Sequence, residues 1–248
     1  MKKELKEFKV SNKKQITPNM TRITLVGNNL QDFNYDQIGG YVKLYFSNKK
    51  GEKLLRPYTV KDYREELCEI DIDFAIHDND KAIASNWAKK AKIGDKISLT
   101  GPSPKQNLNN NADWFFFVGD MSAIPAITVN LESLPKNSQG IAVFEIFNEC
   151  DKQKIKLSND IEILWVINHS NSDDKLLIEK IKSLVWLKGK PFIWVACEFS
   201  KMKILREFFK VHKKIEKKDI YISSYWKKGL NQEEHKIVKK KDSVVNQL

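Results

Sequence analysis

Residues 114–120 read Trp114-Phe115-Phe116-Phe117-Val118-Gly119-Asp120. Five apolar side chains in succession leave no polar face. The run therefore suits a strand covered on both sides, as in a parallel sheet. Gly119 ends it, and 122–134 follows with helical spacing, Ser122 as the N-cap candidate and Pro125 in the first turn. Downstream, strands are expected at 141–148, 161–168, 192–198 and 220–226, with helices at 176–184 and 202–212. Alternating strands and helices predict an open, doubly wound, mostly parallel sheet.

Upstream the texture differs. Short β-rich stretches at 8–10, 21–26, 41–46 and 96–100 are separated by Asn, Gly and Pro. In 68–77, Cys68, Ile70, Ile72, Phe74 and Ile76 alternate with Glu69, Asp71, Asp73 and Ala75. A period of two predicts one face inward and a polar face outward. Several such strands suggest a small antiparallel barrel. The expected fold is thus a β-barrel plus an α/β domain. The polar, Asn-rich stretch 106–113 marks the change, giving domains 1–105 and 106–231. Residues 232–248 remain as a basic tail, either a short helix or disordered.

The chain has 248 residues, 41% hydrophobic and 10% aromatic, enough apolar surface to exclude a disordered chain. No apolar run approaches the ~18–20 residues of a membrane span. The start, MKKELKEF, lacks the apolar core of a secretion signal. Three widely spaced cysteines argue against a disulfide framework or a CxxC zinc site. A cytoplasmic protein without membrane insertion is expected. Lys and Arg number 43 and Asp and Glu 32, a net charge of +11. Residues 201–248 hold 14 of the bases and 6 of the acids, hence +8. Such an end suits an anionic partner, or is a solvated basic face.

Arg56-Pro57-Tyr58-Thr59 is expected between barrel strands. It combines a planar phosphate fork, a flat aromatic face and a hydroxyl that can meet a ring nitrogen. A turn with a core tyrosine would look the same. Gly119 to Ala126 is a strand-to-helix turn whose amino end can receive a dinucleotide phosphate, although it is not GxGxxG. Gly119-Asp120 and Cys197-Glu198 both lie at expected carboxyl ends of strands, where open α/β sheets bind ligands. His169, His212 and His235 are isolated, and no metal-ligand cluster or nucleophilic triad is visible.

These stretches resemble, in order, the motifs of the siderophore-interacting protein family, a branch of the ferredoxin-reductase-like flavoproteins. Arg56-Pro57-Tyr58-Thr59 is similar to its RxYT flavin motif, and Asp73-Phe74-Ala75-Ile76-His77 to its DFxxH strand. Ala84-Ser85-Asn86-Trp87-Ala88 resembles part of GPASxWA. Gly94-Asp95 with Gly101-Pro102 resembles PGD…GP. Gly119 to Ala126 resembles GDETALPA, Trp194 to Glu198 resembles WVAGE, and Tyr225-Trp226-Lys227-Lys228-Gly229 resembles YWxxG. Four positions depart from the pattern. Lys61 replaces Arg, Ala82-Ile83 replaces Gly-Pro with one residue more in the loop after His77, Met121 replaces an acid, and Cys197 replaces Gly.

The resemblance implies an FAD-dependent reductase of anionic ferric siderophores. It implies that Tyr58 stacks on the flavin, Thr59 bonds near its N5, and Arg56 meets its phosphates. Asp73, Phe74 and His77 flank the ring, the amides of Ala84 and Ser85 hold the pyrophosphate, and Trp226 approaches from the second domain. Gly119, Asp120, Ser122, Ala123, Cys197 and Glu198 form the side facing NADH or NADPH, with ferredoxin the alternative donor. Lys61, Lys227 and Lys228 are the candidates for docking the chelate. No residue is expected to act as a general acid or base, because the flavin carries the chemistry. No resident metal and no nucleic-acid partner is expected. The alternatives are a general NAD(P)H:flavin or quinone oxidoreductase on the same fold, and a non-catalytic iron-chelate binding protein.

Overall fold

The structure is a computed structural model and describes residues 5–28, 30, 33–47, 51, 53–77, 82–109, 111–169 and 172–245. It divides into two compact units. One is Met1–Asn107 with Thr128–Leu131 and Cys150–Ile155. The other is Leu108–Ile127, Glu132–Glu149 and Lys156–Leu248.

The first unit is an antiparallel sheet. Its strands are β1 (Lys6–Thr17), β2 (Met20–Val26), β3 (Tyr41–Ser47), β4 (Lys53–Thr59), β5 (Asp62–Arg64), β6 (Glu69–Ala75) and β7 (Lys96–Ser103), and α1 (Ile83–Lys90) is its helix. The strand order is β4-β3-β7-β1-β2-β6-β5. The two ends of that order, β4 and β5, are separated in the chain only by Val60 and Lys61. The Val60 N–H donates to Gly40 O on the β3 side, and the Lys61 N–H donates to Asp71 O in β6. One bent stretch thus joins the two edges of the sheet, which curls into a half-barrel, the antiparallel barrel-like architecture that was expected. Phe8, Ile23, Leu25, Val42, Leu44, Ile70, Ile72 and Phe74 fill its core.

Three details differ from expectation. Arg56-Pro57-Tyr58-Thr59 lies within β4 instead of between strands. Pro57 is tolerated because β4 hydrogen-bonds to β3 alone, so its missing N–H costs no ladder bond. Cys68 sits in the turn before β6 with φ of 50°. Asp71 and Asp73, expected on a solvated face, are each only 5% exposed. Residues 78–81, the loop expected to carry the extra residue, lie outside the described residues.

The second unit holds five parallel strands: β8 (Trp114–Gly119), β9 (Gln139–Ile146), β10 (Asp160–Ile167), β11 (Pro191–Glu198) and β12 (Ile220–Trp226). Their order is β10-β9-β8-β11-β12. Helices α2 (Ile124–Ser133), α3 (Leu176–Ser183) and α4 (Phe199–Glu207) connect them, α4 running on through a π-helical turn at Phe208–His212. The chain winds outward from β8 in one direction and from β11 in the other. The strand order therefore reverses between β8 and β11, and a ligand crevice belongs at their carboxyl ends. β8 and β11 are buried at every position, as the unbroken apolar run at 114–118 requires.

Residues 232–245 form a helix. α5 (Gln232–Val245) buries His235, whose Nε2 is 2.8 Å from Ser224 Oγ on β12. Asp242 accepts both guanidinium nitrogens of Arg206, at 2.5 and 2.9 Å, and Lys239 Nζ donates to Ser223 Oγ and Ser224 O. Among the described residues, no helix is long and apolar enough to cross a membrane.

Candidate functional site

In the first unit, β4 carries Arg56, Tyr58 and Thr59. The Tyr58 ring lies 4.3 Å from Phe74 on β6, and Phe74 lies 5.7 Å from Trp87 on α1. An aromatic row thus joins three elements. Burial pushes the Tyr58 phenol above its ordinary value, against the pull of the Arg56 charge. The phenol stays neutral and keeps its proton as a donor.

Ser85 is buried, and its hydroxyl meets the backbone N and O of His77 at 3.2 and 3.3 Å. That contact ties the end of β6 to the start of α1, at His77, an exposed residue. Ala82, the residue at the N-cap of α1, has no side chain that can cap the helix. First-turn N–H groups of a helix are suited to meet an anion. At the other end, Lys13 Nζ donates to Lys89 O at 2.7 Å, a cation at the negative helix terminus.

Asp73 is held by a partner that sequence reasoning missed. Arg22 donates to its carboxylate through Nε at 2.6 Å and Nη2 at 2.9 Å. Asp71 takes Arg64 and Thr24 in the same way, at 2.8 and 2.7 Å. Burial alone would raise the Asp71 carboxyl, but Arg64, Thr24 and Arg22 hold it below the usual range. Arg22 lies 51 residues from Asp73, and only the β2–β6 register brings them opposite each other.

In the second unit, the carboxyl ends of β8, β11 and β12 meet. Gly119 is required there, because a Cβ would lie 2.5 Å from Ile127 Cδ1 and 2.8 Å from Ala123 Cβ. Asp120 accepts from Ser122 N at 2.9 Å and from Ser122 Oγ, while its other oxygen accepts from Trp226 Nε1 at 2.7 Å. The Ala123 N–H donates to Asp120 O. Asp120, not Ser122, therefore supplies the acceptors at this turn, and the amides of Ser122 and Ala123 have partners inside the chain. Burial raises the Asp120 carboxyl, opposed by Ser122, Trp226 and the Lys201 charge.

Glu198 caps α4, accepting from Ser200 N and Lys201 N, and its second oxygen accepts from Lys228 N at 3.1 Å. Cys197 is fully buried, and burial pushes its thiol well up, so it is not a thiolate nucleophile. Beneath the turn, Lys201 Nζ meets both Glu145 oxygens at 2.9 and 2.7 Å, and Asn168 Nδ2 adds a third contact at 2.9 Å. Neither Lys201 nor Glu145 was visible as a pair in the sequence, because 56 residues separate them. Lys227 Nζ lies 4.6 Å over the Phe199 ring, and Lys228 Nζ lies 3.9 Å from Asp174. Lys61 belongs to the first unit, at the barrel closure.

The donor set of the first unit fits a flat, phosphate-bearing cofactor: an aromatic row, Arg56 beside Tyr58, and the start of a helix, α1, at Ile83. Among the described residues, no group of three or more His, Cys, Asp or Glu is placed to hold a metal.

Comparison with known proteins agrees with this division. A model described as siderophore-interacting FAD-binding domain matches residues 9–55 and 50–106, and one described as siderophore-interacting protein matches 112–229. The chain is 32% identical over 241 residues to the ferric vibriobactin reductase ViuB of Vibrio cholerae, covering 89% of each chain. It is 24% identical to the NADPH-dependent ferric-chelate reductase of Escherichia coli, covering 89% of this chain and 92% of that one. A siderophore utilization protein from T. fusca superposes with a TM-score of 0.82 at 26% identity, covering 92% and 94%. Ferredoxin-NADP+ reductase from Plasmodium falciparum shares the fold, with a TM-score of 0.66 at 17% identity and coverage of 90% and 97%. The barrel, the doubly wound sheet and both matched halves lead to one conclusion: the chain belongs to the siderophore-interacting protein family, with an FAD-binding barrel of the ferredoxin-reductase-like fold.

Proposed function

We propose that this chain is a cytoplasmic, FAD-dependent reductase of anionic ferric siderophores. The observation that carries the reading is β4, which sets Arg56, Tyr58 and Thr59 on one strand and links them through Phe74 and Trp87 to α1. The activities named for the V. cholerae and E. coli relatives support the reaction class.

Siderophores bind Fe(III) through hard oxygen donors and hold Fe(II) far less tightly, so one-electron reduction releases the metal. Bound FAD supplies the step from a two-electron donor to single-electron delivery. The chain's residues bind and orient. Tyr58 packs on the ring, Thr59 bonds its edge, and Asp73, Phe74 and His77 flank it. Arg56 and the amides of Ala84 and Ser85 hold the phosphates. For Trp226 the flavin role rests on the YWxxG motif.

Gly119, Asp120, Ser122, Ala123, Cys197 and Glu198 line the switch point, where a nicotinamide donor would enter. NADPH is favoured by the E. coli relative, with NADH and ferredoxin as the other donors to test. Lys61, Lys227 and Lys228 dock the anionic chelate.

The test is spectroscopic. Purified protein is expected to be yellow, to bleach anaerobically with NADPH, NADH or reduced ferredoxin, and to regain its colour with a ferric siderophore. A protein that takes up no flavin on titration overturns the reading. A flavoprotein that bleaches but ignores ferric siderophores is instead a general flavin reductase.

A further inference from the structure

Two loops lead into the amino ends of β11 and β12, the edge of the parallel sheet opposite the switch point. Residues 180–190 read KIKSLVWLKGK and 208–215 read FFKVHKKI. Together they hold seven lysines and no Asp or Glu, in a chain whose overall ratio of bases to acids is 43 to 32. The loops adjoin in space, since Lys213 Nζ lies 4.4 Å over the Trp186 ring and a shallow pocket of about 360 Å³ is lined by Lys182, Phe208, His212 and Lys213.

Apolar side chains stand out from the same place. Val185 is 87% exposed, Val211 62% and Leu187 37%. Buried neighbours do not account for them. Lys182, Lys188 and Lys214 are exposed around them. Burial, and after it the charges of Arg206 and Lys217, draws the Lys210 ammonium below its ordinary value.

We propose that this edge of the second unit is a peripheral docking surface for an anionic phospholipid bilayer. Short apolar tips flanked by lysines, with an indole beneath, suit the interface between headgroups and acyl chains. A protein electron donor fits the location less well. Strands of six to eight residues put the patch roughly 20–26 Å from the carboxyl ends where the redox residues lie. A nucleic acid would use the lysines but has no need of Val185 and Val211.

The experiment is co-sedimentation of the full-length, FAD-loaded protein with vesicles. One set is phosphatidylcholine alone, and the other is phosphatidylcholine with 30–40% phosphatidylglycerol, roughly the charge density at which basic clusters bind. Binding is expected to the anionic vesicles only, and to weaken as salt rises. Lys182→Glu with Lys188→Glu is expected to lower partitioning at least tenfold, since each surface lysine contributes about fivefold. Val185→Asp with Val211→Asp is expected to lower it as well. Flavin content and reduction of a soluble ferric chelate stay unchanged in both variants, which shows that each folds. The Lys227→Ala, Lys228→Ala protein is expected to bind like wild type. No binding to anionic vesicles overturns the proposal. So does equal binding to duplex DNA that is indifferent to the valine variant, or vesicle binding that survives both double variants.

Discussion

Trp226 and Asp120, 106 residues apart, are joined by a 2.7 Å bond from indole Nε1 to carboxylate Oδ2. The bond links the carboxyl ends of β12 and β8, two strands that do not pair with each other. Removing the acceptor leaves the indole N–H and Ser122 without their partner. Asp120→Ala is expected to cost about 1–3 kcal/mol and to shift Trp226 fluorescence. Urea unfolding followed by tryptophan emission measures both, and an unchanged spectrum with unchanged stability would refute the bond's importance.

The same carboxylate predicts a pH effect. Its folded pKa is raised, so the native state binds the proton more tightly than the unfolded chain does. Stability from this group is present at low pH and declines as pH rises from the ordinary carboxylate value through the raised one. Asp120→Asn is neutral throughout and lacks that slope. The stability of wild type relative to Asp120→Asn is therefore expected to fall as pH rises from about 4, the ordinary carboxylate value. Parallel denaturation of the two proteins at acidic and at neutral pH checks the sign.

Lys201 and Glu145 form a pair with side chains 1% and 4% exposed. Losing one partner strands a buried charge. Lys201→Met or Glu145→Gln alone is expected to cost about 3–5 kcal/mol, and the double variant Lys201→Met, Glu145→Leu much less than the sum. A double-mutant cycle by chemical denaturation reads the coupling, and additive losses would contradict it.

Tyr58→Ala is expected to weaken FAD binding by roughly 1–3 kcal/mol, while Tyr58→Phe keeps most of the affinity because the ring survives. Fluorescence titration of the flavin-depleted protein distinguishes the two. Equal loss in both variants would assign the contribution to the hydroxyl instead.

Lys227→Ala with Lys228→Ala is expected to raise KM for the ferric chelate with kcat and flavin content near normal, and to flatten the salt dependence. Deletion from Gln232 onward has a different outcome. It removes the Asp242 partner of Arg206 and the His235 contact to Ser224, so it is expected to lower the melting temperature by about 4–8 °C, on the order of 2 kcal/mol for a chain of this size. Calorimetry of the truncated protein decides whether α5 is structural or only a carrier of charge.

The parallel sheet was legible because its signal is local: five apolar residues at 114–118 can only be buried on both faces. The alternation at 70–76 was legible for the same reason. β4 was not, since Pro57 and the flanking Arg56 break any period-two pattern, and its strand character comes from pairing with β3. Asp71 and Asp73 read as solvated because their partners, Arg22 and Arg64, arrive by strand register. α5 read as an open choice between helix and disorder, because the one buried residue among its described residues is a histidine that finds its hydrogen-bond partner on another element. Motif order named the candidate flavin-side residues, but it carried no information on which amides at Gly119–Ala126 were already bonded by Asp120.

A barrel whose two ends are one bent strand has a single seam, and here the seam runs through β4, Val60, Lys61 and β5. The residues assigned to the cofactor, Arg56, Tyr58 and Thr59, sit on one side of that seam within a few positions of the bend. A ligand that grips them also holds the seam shut. Cofactor uptake and barrel integrity are then a single linked equilibrium, in which free FAD raises stability by RT ln(1 + [FAD]/Kd).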